Sequence, residues 1–159
     1  MAAPTTPYTA DLAEGDPIVA MRETTDRIAD LAGGQPPAWF ERSYAPGKWT
    51  ARQVLIHLAQ MEMALGVRAR MALATPTYAA QALDQDDWMK FDARVSGNDA
   101  LAGFVAVSRM NRSLFEGLSA AERAIAFTHP EYGTLTVDWV IHQIAGHQIH
   151  HLKQLEQIA

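Results

Sequence analysis

The chain has 159 residues, of which 48% are hydrophobic, and it carries a formal net charge of -5 at pH 7. This length and composition suit one globular domain with a buried core and argue against a disordered chain. The acidic balance argues against nucleic acid as a partner, and the lack of cysteine excludes disulfides, thiolate metal sites and a cysteine nucleophile.

Residues 1–15 contain two prolines and small polar residues, which predicts a flexible N-terminal arm. Residues 1–10 lack the basic start and apolar run of a signal peptide, and no segment has the long uncharged apolar run of a membrane helix. We therefore expect a cytoplasmic protein with no membrane partner, in which residues 16–159 form the single folded domain.

The first two long helices have clear start signals. Asp16 is a good N-cap and Pro17 suits the first helical position, so a helix is predicted to about residue 32, where a Gly-Gly pair ends it. Thr50 and Gln53 form a capping box, which predicts a second helix to about residue 74, before Thr75 and a proline.

The second half of the chain contains two more long helices and two long connections. Residues 78–97 form the first connection, and residues 84–92 within it are predicted to contain a short helical turn that carries Trp88 and Phe91. Asn98 or Asp99 is predicted to cap the third long helix. Its apolar face is formed by Leu101, Phe104, Ser108, Asn111, Phe115 and Leu118.

Turn signals fill residues 127–135, after a short turn capped by Ser119 and Glu122, and Thr136 caps a last helix that runs almost to the C-terminus. No segment has the pattern of a convincing strand. Four long amphipathic helices with two long connections predict an all-α four-helix bundle.

The last helix carries two histidines within its apolar face. His147 and His151 are four residues apart, so their rings lie one turn apart on the same side, whereas His142 and His150 fall on the polar side. Burying two unpaired imidazoles costs on the order of 1–3 kcal/mol each. A shared metal ion would remove that cost, but two core histidines bonded to neighbouring groups explain the pattern equally well at this point.

A third metal ligand must come from another helix. His57 lies at the edge of the apolar face of the second helix, which suits a ligand that points into a bundle. The alternative is a boundary histidine bonded to a carboxylate. Glu62 and Glu131 could be partners of the ligands, although both are also ordinary polar residues.

Two segments of the chain carry a family resemblance. GKWTARQVLIHL at residues 47–58 and GHQIHHLKQL at residues 146–155 resemble the second-helix and last-helix signatures of the DinB-like, or YfiT-like, superfamily. DDW at residues 86–88 and HPEYG at residues 129–133 are similar to its connecting segments. The resemblance spans roughly Trp39 to the C-terminus.

The resemblance implies a fold and a site. The family fold is a four-helix bundle of up-down-down-up order that is often dimeric. Carried over by position, His57, His147 and His151 correspond to the family's ligands for zinc, nickel or a similar divalent ion. Characterised relatives include thiol-dependent transferases, a thiol-dependent isomerase and proposed hydrolases, so the family defines the site better than the substrate.

Three neutral histidines would leave open positions on the metal for a thiol or water that attacks a small-molecule substrate. Because the chain has no cysteine, any thiol must be an external one of low molecular weight. The sequence does not identify a general base, for which Glu62 and Tyr132 are the candidates, and it predicts no other cofactor. A non-catalytic, stress-related metal-binding protein remains the alternative to a transferase or hydrolase.

The second helix has an additional apolar stripe. Ile56, Met63 and Val67 lie more than 120° from its main apolar face, at about 100° per residue. A surface helix needs only one such face, so the second must be covered. The connection over residues 78–97 could cover it, or a second copy of the chain could do so in a homodimer.

Overall fold

The computed structural model describes residues 3–158, in which helices predominate. The helices are α1 Thr9–Leu12, α2 Pro17–Ala32, α3 Pro37–Phe40, α4 Ala51–Ala74, α5 Gln85–Phe91, α6 Gly97–Glu116, α7 Ala120–Arg123 and α8 Val137–Leu155. Two short strands, β1 Ala126–His129 and β2 Gly133–Thr136, form an antiparallel hairpin before α8. The long helices α2, α4, α6 and α8 form the bundle.

Three of the four long helices begin where their caps predict. The Asp16 carboxylate accepts from the backbone N–H groups of Ile18 and Val19, and both halves of the capping box of Thr50 and Gln53 are present. The Thr136 hydroxyl accepts from the Trp139 N–H at 3.1 Å. Local hydrogen bonds at these helix starts therefore follow directly from the sequence.

The predicted cap of α6 is wrong. Neither Asn98 nor Asp99 is the N-cap, because Ser96 takes that position and its hydroxyl accepts from the Asp99 N–H at 3.0 Å. Asn98 and Asp99 are inside the first turn. The first residue of the helix, Gly97, packs directly against the Phe40 ring. A larger residue would not fit there, because a Cβ would lie 2.1 Å from the nearest ring carbon.

Two apolar clusters give the direction of each long helix. Met21 of α2, Leu65 of α4, Phe115 of α6 and Ile141 of α8 lie in one cluster. The other cluster contains Ile28, Leu55, Phe104 and Leu155 of the same four helices. Residue numbers rise from the first cluster to the second in α2 and α8 and fall in α4 and α6. The bundle is therefore up-down-down-up, as the sequence analysis expected.

The hairpin was not predicted. Its strands have four residues each, and the buried Phe127 lies opposite the buried Leu135. The N–H of Thr128 donates to the Tyr78 carbonyl at 3.1 Å, which ties the long connection to the hairpin. Strands this short show too few alternations to stand out from a turn-rich segment.

The predicted flexible arm packs against α8 through residues 5–12. Leu12 is 7% exposed and belongs to the core, and the indole of Trp139 donates to the Thr5 carbonyl at 3.0 Å. Gly146 permits this approach, because a Cβ there would lie 2.6 Å from the carbonyl oxygen of Tyr8. Residues 1, 2 and 159 of the predicted organisation lie outside the described residues.

The second apolar stripe of α4 is covered only in part. Ile56 is buried by its own chain, whereas Met63 is 44% and Val67 55% exposed. Trp88 and Phe91 of the connection are themselves exposed, so they do not close over the stripe. Over residues 3–158, no helix is long and apolar enough to cross a membrane.

Candidate metal centre

The structure brings the three predicted histidines together. His57 of α4 faces His147 and His151 of α8, and each is at most 5% exposed. The Nε2 atom of His147 lies 2.9 Å from that of His57 and 3.0 Å from that of His151. One nitrogen from each ring therefore lies within 4.8 Å of the others, a separation that a single bound ion can span.

All three imidazoles are held in their neutral form. Burial lowers the pKa of His57 to about 3 and that of His151 to about 4, and it lowers the pKa of His147 well below 6.5. Neighbouring histidines contribute to each shift, because a second positive charge in the cluster is unfavourable. Neutral imidazole is the form that coordinates metal ions.

A hydrogen bond orients His151 as a metal ligand would need to be oriented. His151 Nδ1 lies 2.7 Å from the Gln154 Oε1 atom, which can only accept, so Nδ1 carries the proton and Nε2 presents its lone pair to the cluster. His57 Nδ1 is buried without a hydrogen-bond partner among the described residues. Three converging nitrogens cannot all be satisfied by one another, so the donor set fits a divalent ion.

The other two histidines of α8 do not join the cluster. His150 is half-exposed and lies 3.5 Å from the Asp11 carboxylate, in keeping with the predicted polar side. The predicted solvent position of His142 is wrong, because only 12% of its side chain is exposed and its Nδ1 lies 2.9 Å from the Asp138 carbonyl. The packing of α7 and α8 through the Arg123–Asp138 ion pair covers that face.

A buried polar layer crosses the bundle next to the histidines. Glu62 is 2% exposed and accepts hydrogen bonds from Gln148 at 2.5 Å and Asn111 at 2.7 Å. Gln148 also donates to Ser108 at 2.9 Å, and Ser108 lies 2.8 Å from the Thr25 hydroxyl. This layer was not predicted from the sequence. The signal that could have indicated it is the pair of polar residues, Ser108 and Asn111, on the otherwise apolar face of their helix.

Glu62 does not reach the space in front of the histidines. Burial raises the pKa of its carboxyl to about 7, against the opposing effect of the hydrogen bonds from Asn111 and Gln148. Its oxygens are engaged within the bundle, and it is absent from the walls of the adjoining cavity. The suggestion that Glu62 is the general base therefore receives no support from its position.

A cavity of about 270 Å³ opens beside the centre. His57 and His147 form part of its wall, and Tyr8 of the N-terminal segment contributes another part. Tyr132 also lines the cavity and is 53% exposed, so this candidate base lies within reach of a bound molecule. Glu131 lines the same cavity, but among residues 3–158 no hydrogen bond or ion pair joins its side chain to the three histidines. The arrangement can hold a small molecule against the histidine cluster.

Comparison with known proteins supports the family resemblance. The sequence pattern of the DinB superfamily matches residues 20–155. A protein of Oceanobacillus iheyensis, provisionally named a metal-dependent hydrolase, is 29% identical over 120 residues, which are 75% of this chain and 70% of that protein. A similarly named protein of Bacillus cereus is 24% identical over 137 residues, covering 86% of this chain and 77% of its own length.

Two solved structures share the fold. YfiT from Bacillus subtilis, described as a probable metal-dependent hydrolase with an unusual four-helix bundle topology, aligns with a TM-score of 0.81 at 20% identity. That alignment covers 99% of this chain and 90% of YfiT. A mycothiol-dependent maleylpyruvate isomerase aligns with a TM-score of 0.71 at 14% identity, over 94% of this chain and 61% of the isomerase.

Proposed function

This chain belongs to the DinB superfamily, and we propose that it is a divalent-metal-dependent enzyme that acts on a small molecule. The observation that carries the proposal is the convergence of three buried, neutral histidines at the wall of a cavity. A protein that only stores or buffers metal needs the ligands but has no use for a cavity beside them. The cavity therefore favours an enzyme over a non-catalytic, stress-related metal-binding protein.

Zinc or nickel is the ion that we propose for His57, His147 and His151. Imidazole nitrogens suit both metals, and three protein ligands are typical of catalytic rather than structural zinc sites. A divalent ion held there would leave positions open for other ligands and lower the pKa of a thiol or water molecule. The protein's own part is to keep the three nitrogens unprotonated and converged.

We propose an external low-molecular-weight thiol as the first choice of nucleophile, for a transferase reaction. The chain has no cysteine, so the cavity is the place where such a thiol would meet the metal. The thiol dependence of the isomerase that shares the fold supports this choice. Water is the second candidate, for a hydrolase reaction, because the similar Oceanobacillus and Bacillus proteins are named metal-dependent hydrolases.

Metal analysis with matched histidine variants tests the proposal. We expect one zinc or nickel ion per chain in the wild type and in His150→Ala, and loss of stoichiometric binding in His57→Ala, His147→Ala and His151→Ala. His150 is the matched control because it lies on the same helix outside the cluster. Equal metal content in the His57 and His150 variants would contradict the assignment.

Activity distinguishes the enzyme from the binding protein. Metal-loaded protein should be screened with small thiols and electrophiles, and separately with ester and amide probes. Turnover should require both the metal and His57. If stoichiometric metal is present and every probe gives no metal-dependent rate, the non-catalytic function is the better explanation.

We also propose that the protein forms a homodimer in the cytoplasm. Met63 and Val67 are exposed on α4 beside the exposed Trp88, and a second copy could cover all three side chains. An isologous contact through this stripe would agree with the predominance of twofold symmetry among oligomers. The acidic net charge supports the absence of nucleic acid from the partners.

A further inference from the structure

The cavity beside the histidines runs along one face of α4. His57, Met61, Leu65 and Arg68 all line it, at the spacing that places residues on one side of a helix. The Cα atoms of His57 and Arg68 are separated by eleven residues, or about 16 Å along the axis at 1.5 Å per residue. Side chains point towards the helix N-terminus, so the Arg68 guanidinium reaches back towards the histidines. The cavity thus has a metal-ligand end and a cationic end.

Arg68 is a half-buried cation without a contacting anion. Its Nη2 donates to the Gln81 carbonyl at 2.8 Å, and no carboxylate among residues 3–158 lies within 4 Å of its guanidinium. Burial lowers the pKa of Arg68, and the electrostatic effects of Tyr78, Glu131 and Tyr132 offset this only in part. The guanidinium in this position has N–H donors that make no hydrogen bond, and an anionic partner would stabilise it.

His129 adds a second donor at the same end. Its Nδ1 accepts from the backbone N–H groups of Glu131 at 3.2 Å and Tyr132 at 3.4 Å, so in the neutral ring the proton is on Nε2. Burial and the nearby charge of Arg68 lower the pKa of His129, which keeps the ring neutral. His129 is 6% exposed and lines the cavity, and its Nε2 has no hydrogen-bond acceptor among residues 3–158.

Gln143 of α8 is another polar group of the cavity wall. It is 8% exposed, and its Oε1 is buried without a hydrogen-bond partner within the described part of the chain. An unsatisfied buried carbonyl oxygen is unfavourable and calls for a donor. Besides the exposed Glu131 carboxylate, the cavity therefore presents open donors on Arg68 and His129 and a buried, unpaired acceptor on Gln143.

We propose that Arg68 and His129 bind a carboxylate of the substrate or thiol. The reacting group of that ligand lies at the histidine cluster, and Gln143 accepts a hydrogen bond from the part of the ligand between its two ends. This inference rests on the proposed function and adds a ligand class to it: an elongated molecule with an anionic tail. Glu131 is exposed and makes no ion pair with Arg68, so it leaves the guanidinium open to the ligand.

Paired probes that differ only in the charged tail test this inference. Zinc-loaded protein is titrated by calorimetry with mercaptohexanoate and mercaptohexanol, each with its thiol at the chain end, and with the shorter mercaptopropionate and mercaptopropanol. One charge-assisted hydrogen bond should make mercaptohexanoate bind about tenfold more tightly than mercaptohexanol. The short pair should show little preference, because its tail cannot span the cavity.

Variants assign the preference to Arg68. Arg68→Met should bind both six-carbon thiols with nearly equal affinity, whereas Arg109→Met should keep the preference, because Arg109 is 60% exposed on α6 and pairs with Asp26. His129→Gln should lose part of the preference. Unchanged binding of mercaptohexanol by Arg68→Met would show that this variant is folded and that its metal centre is intact.

The outcomes separate the two proposals. Equal affinity for mercaptohexanoate and mercaptohexanol in the wild type would overturn the carboxylate site and leave the thiol function standing. If neither thiol binds, the thiol function fails, and hexanoate alone then tests the site, by calorimetry or by the NMR shift of the Arg68 Nε–H. An affinity for hexanoate that Arg68→Met leaves unchanged would overturn the inference.

Discussion

Replacing Glu62 by glutamine should flatten the pH dependence of stability in the metal-free protein. The carboxyl group is 2% exposed and lies among Asn111, Gln148 and Ser108 in the polar layer. Burial raises its pKa from the ordinary 4.5 to about 7. Glutamine has nearly the same shape and cannot ionise, so the change removes the titration with little change in packing.

The direction of this pH dependence follows from how many protons the folded and unfolded states bind. Between pH 4.5 and 7 the folded protein holds a proton on Glu62 that the unfolded chain has released, so stability falls as pH rises. The full effect is the pKa difference at about 1.4 kcal/mol per unit, or about 3 kcal/mol, and most of it falls between pH 5 and pH 8. The contribution is present below pH 4.5 and is lost as pH rises through about 7.

Urea unfolding at pH 5 and pH 8 measures the effect. The metal must be removed with a chelator, because a nearby divalent cation favours the ionised carboxylate. The free energy of unfolding of wild type minus that of Glu62→Gln should fall by about 2–3 kcal/mol between the two pH values. A cost of placing the glutamine amide among these hydrogen bonds is the same at both pH values, so it does not affect the change. The titration of the histidines is common to both proteins and also cancels.

Glu23→Gln is the matched control. Glu23 is an exposed carboxylate on α2, so its replacement should reproduce the wild-type pH dependence within about 0.5 kcal/mol. A difference between wild type and Glu62→Gln that stays constant from pH 5 to pH 8 would refute the reasoning. It would mean that Glu62 remains ionised in the bundle, stabilised by its hydrogen bonds more than burial destabilises it.

Two further predictions concern the cap of α6 and the homodimer. Ser96→Ala should lower the free energy of unfolding by about 1 kcal/mol and Asn98→Ala should change it much less, because only Ser96 caps the helix. Equal losses in the two variants, measured by urea unfolding, would contradict the observed cap. Light scattering at micromolar concentration should show a dimer that Met63→Asp or Val67→Asp dissociates without loss of helical circular dichroism. A monomeric wild type would end the dimer proposal, and a dimer that resists both changes would place the interface elsewhere.

The grouping of the histidines could be predicted because it depends on helical periodicity. His147 and His151 share a helix face at a spacing of four, and the family resemblance added His57 from another helix. The structure places all three in one cluster. The polar layer behind them was harder to predict, because Glu62 and Gln148 are separated by 86 residues and become partners only when α4 packs against α8.

Local chemistry determined most of the helix starts from the sequence alone. Asp16, Thr50 and Thr136 cap their helices through hydrogen bonds to groups two or three residues away, so the residues that decide the structure are all within reach of a short motif. Only the tertiary structure decided the hairpin and the packed N-terminal segment. Tyr8 lies over His147 because Gly146 leaves space for its backbone, a contact between residues far apart in the chain.

The cationic end of the cavity, like the hairpin, was decided by the tertiary structure and not by local sequence. Nothing near Arg68 in the sequence marks it as different from the other arginines of α4, and His129 reads as part of a turn. The hairpin brings His129 to the cavity face of α4, and packing buries His129 and half-buries Arg68. The sequence thus determined the long helices and the spacing of the histidines, whereas the cavity and its unpaired donors exist only once distant segments have packed together.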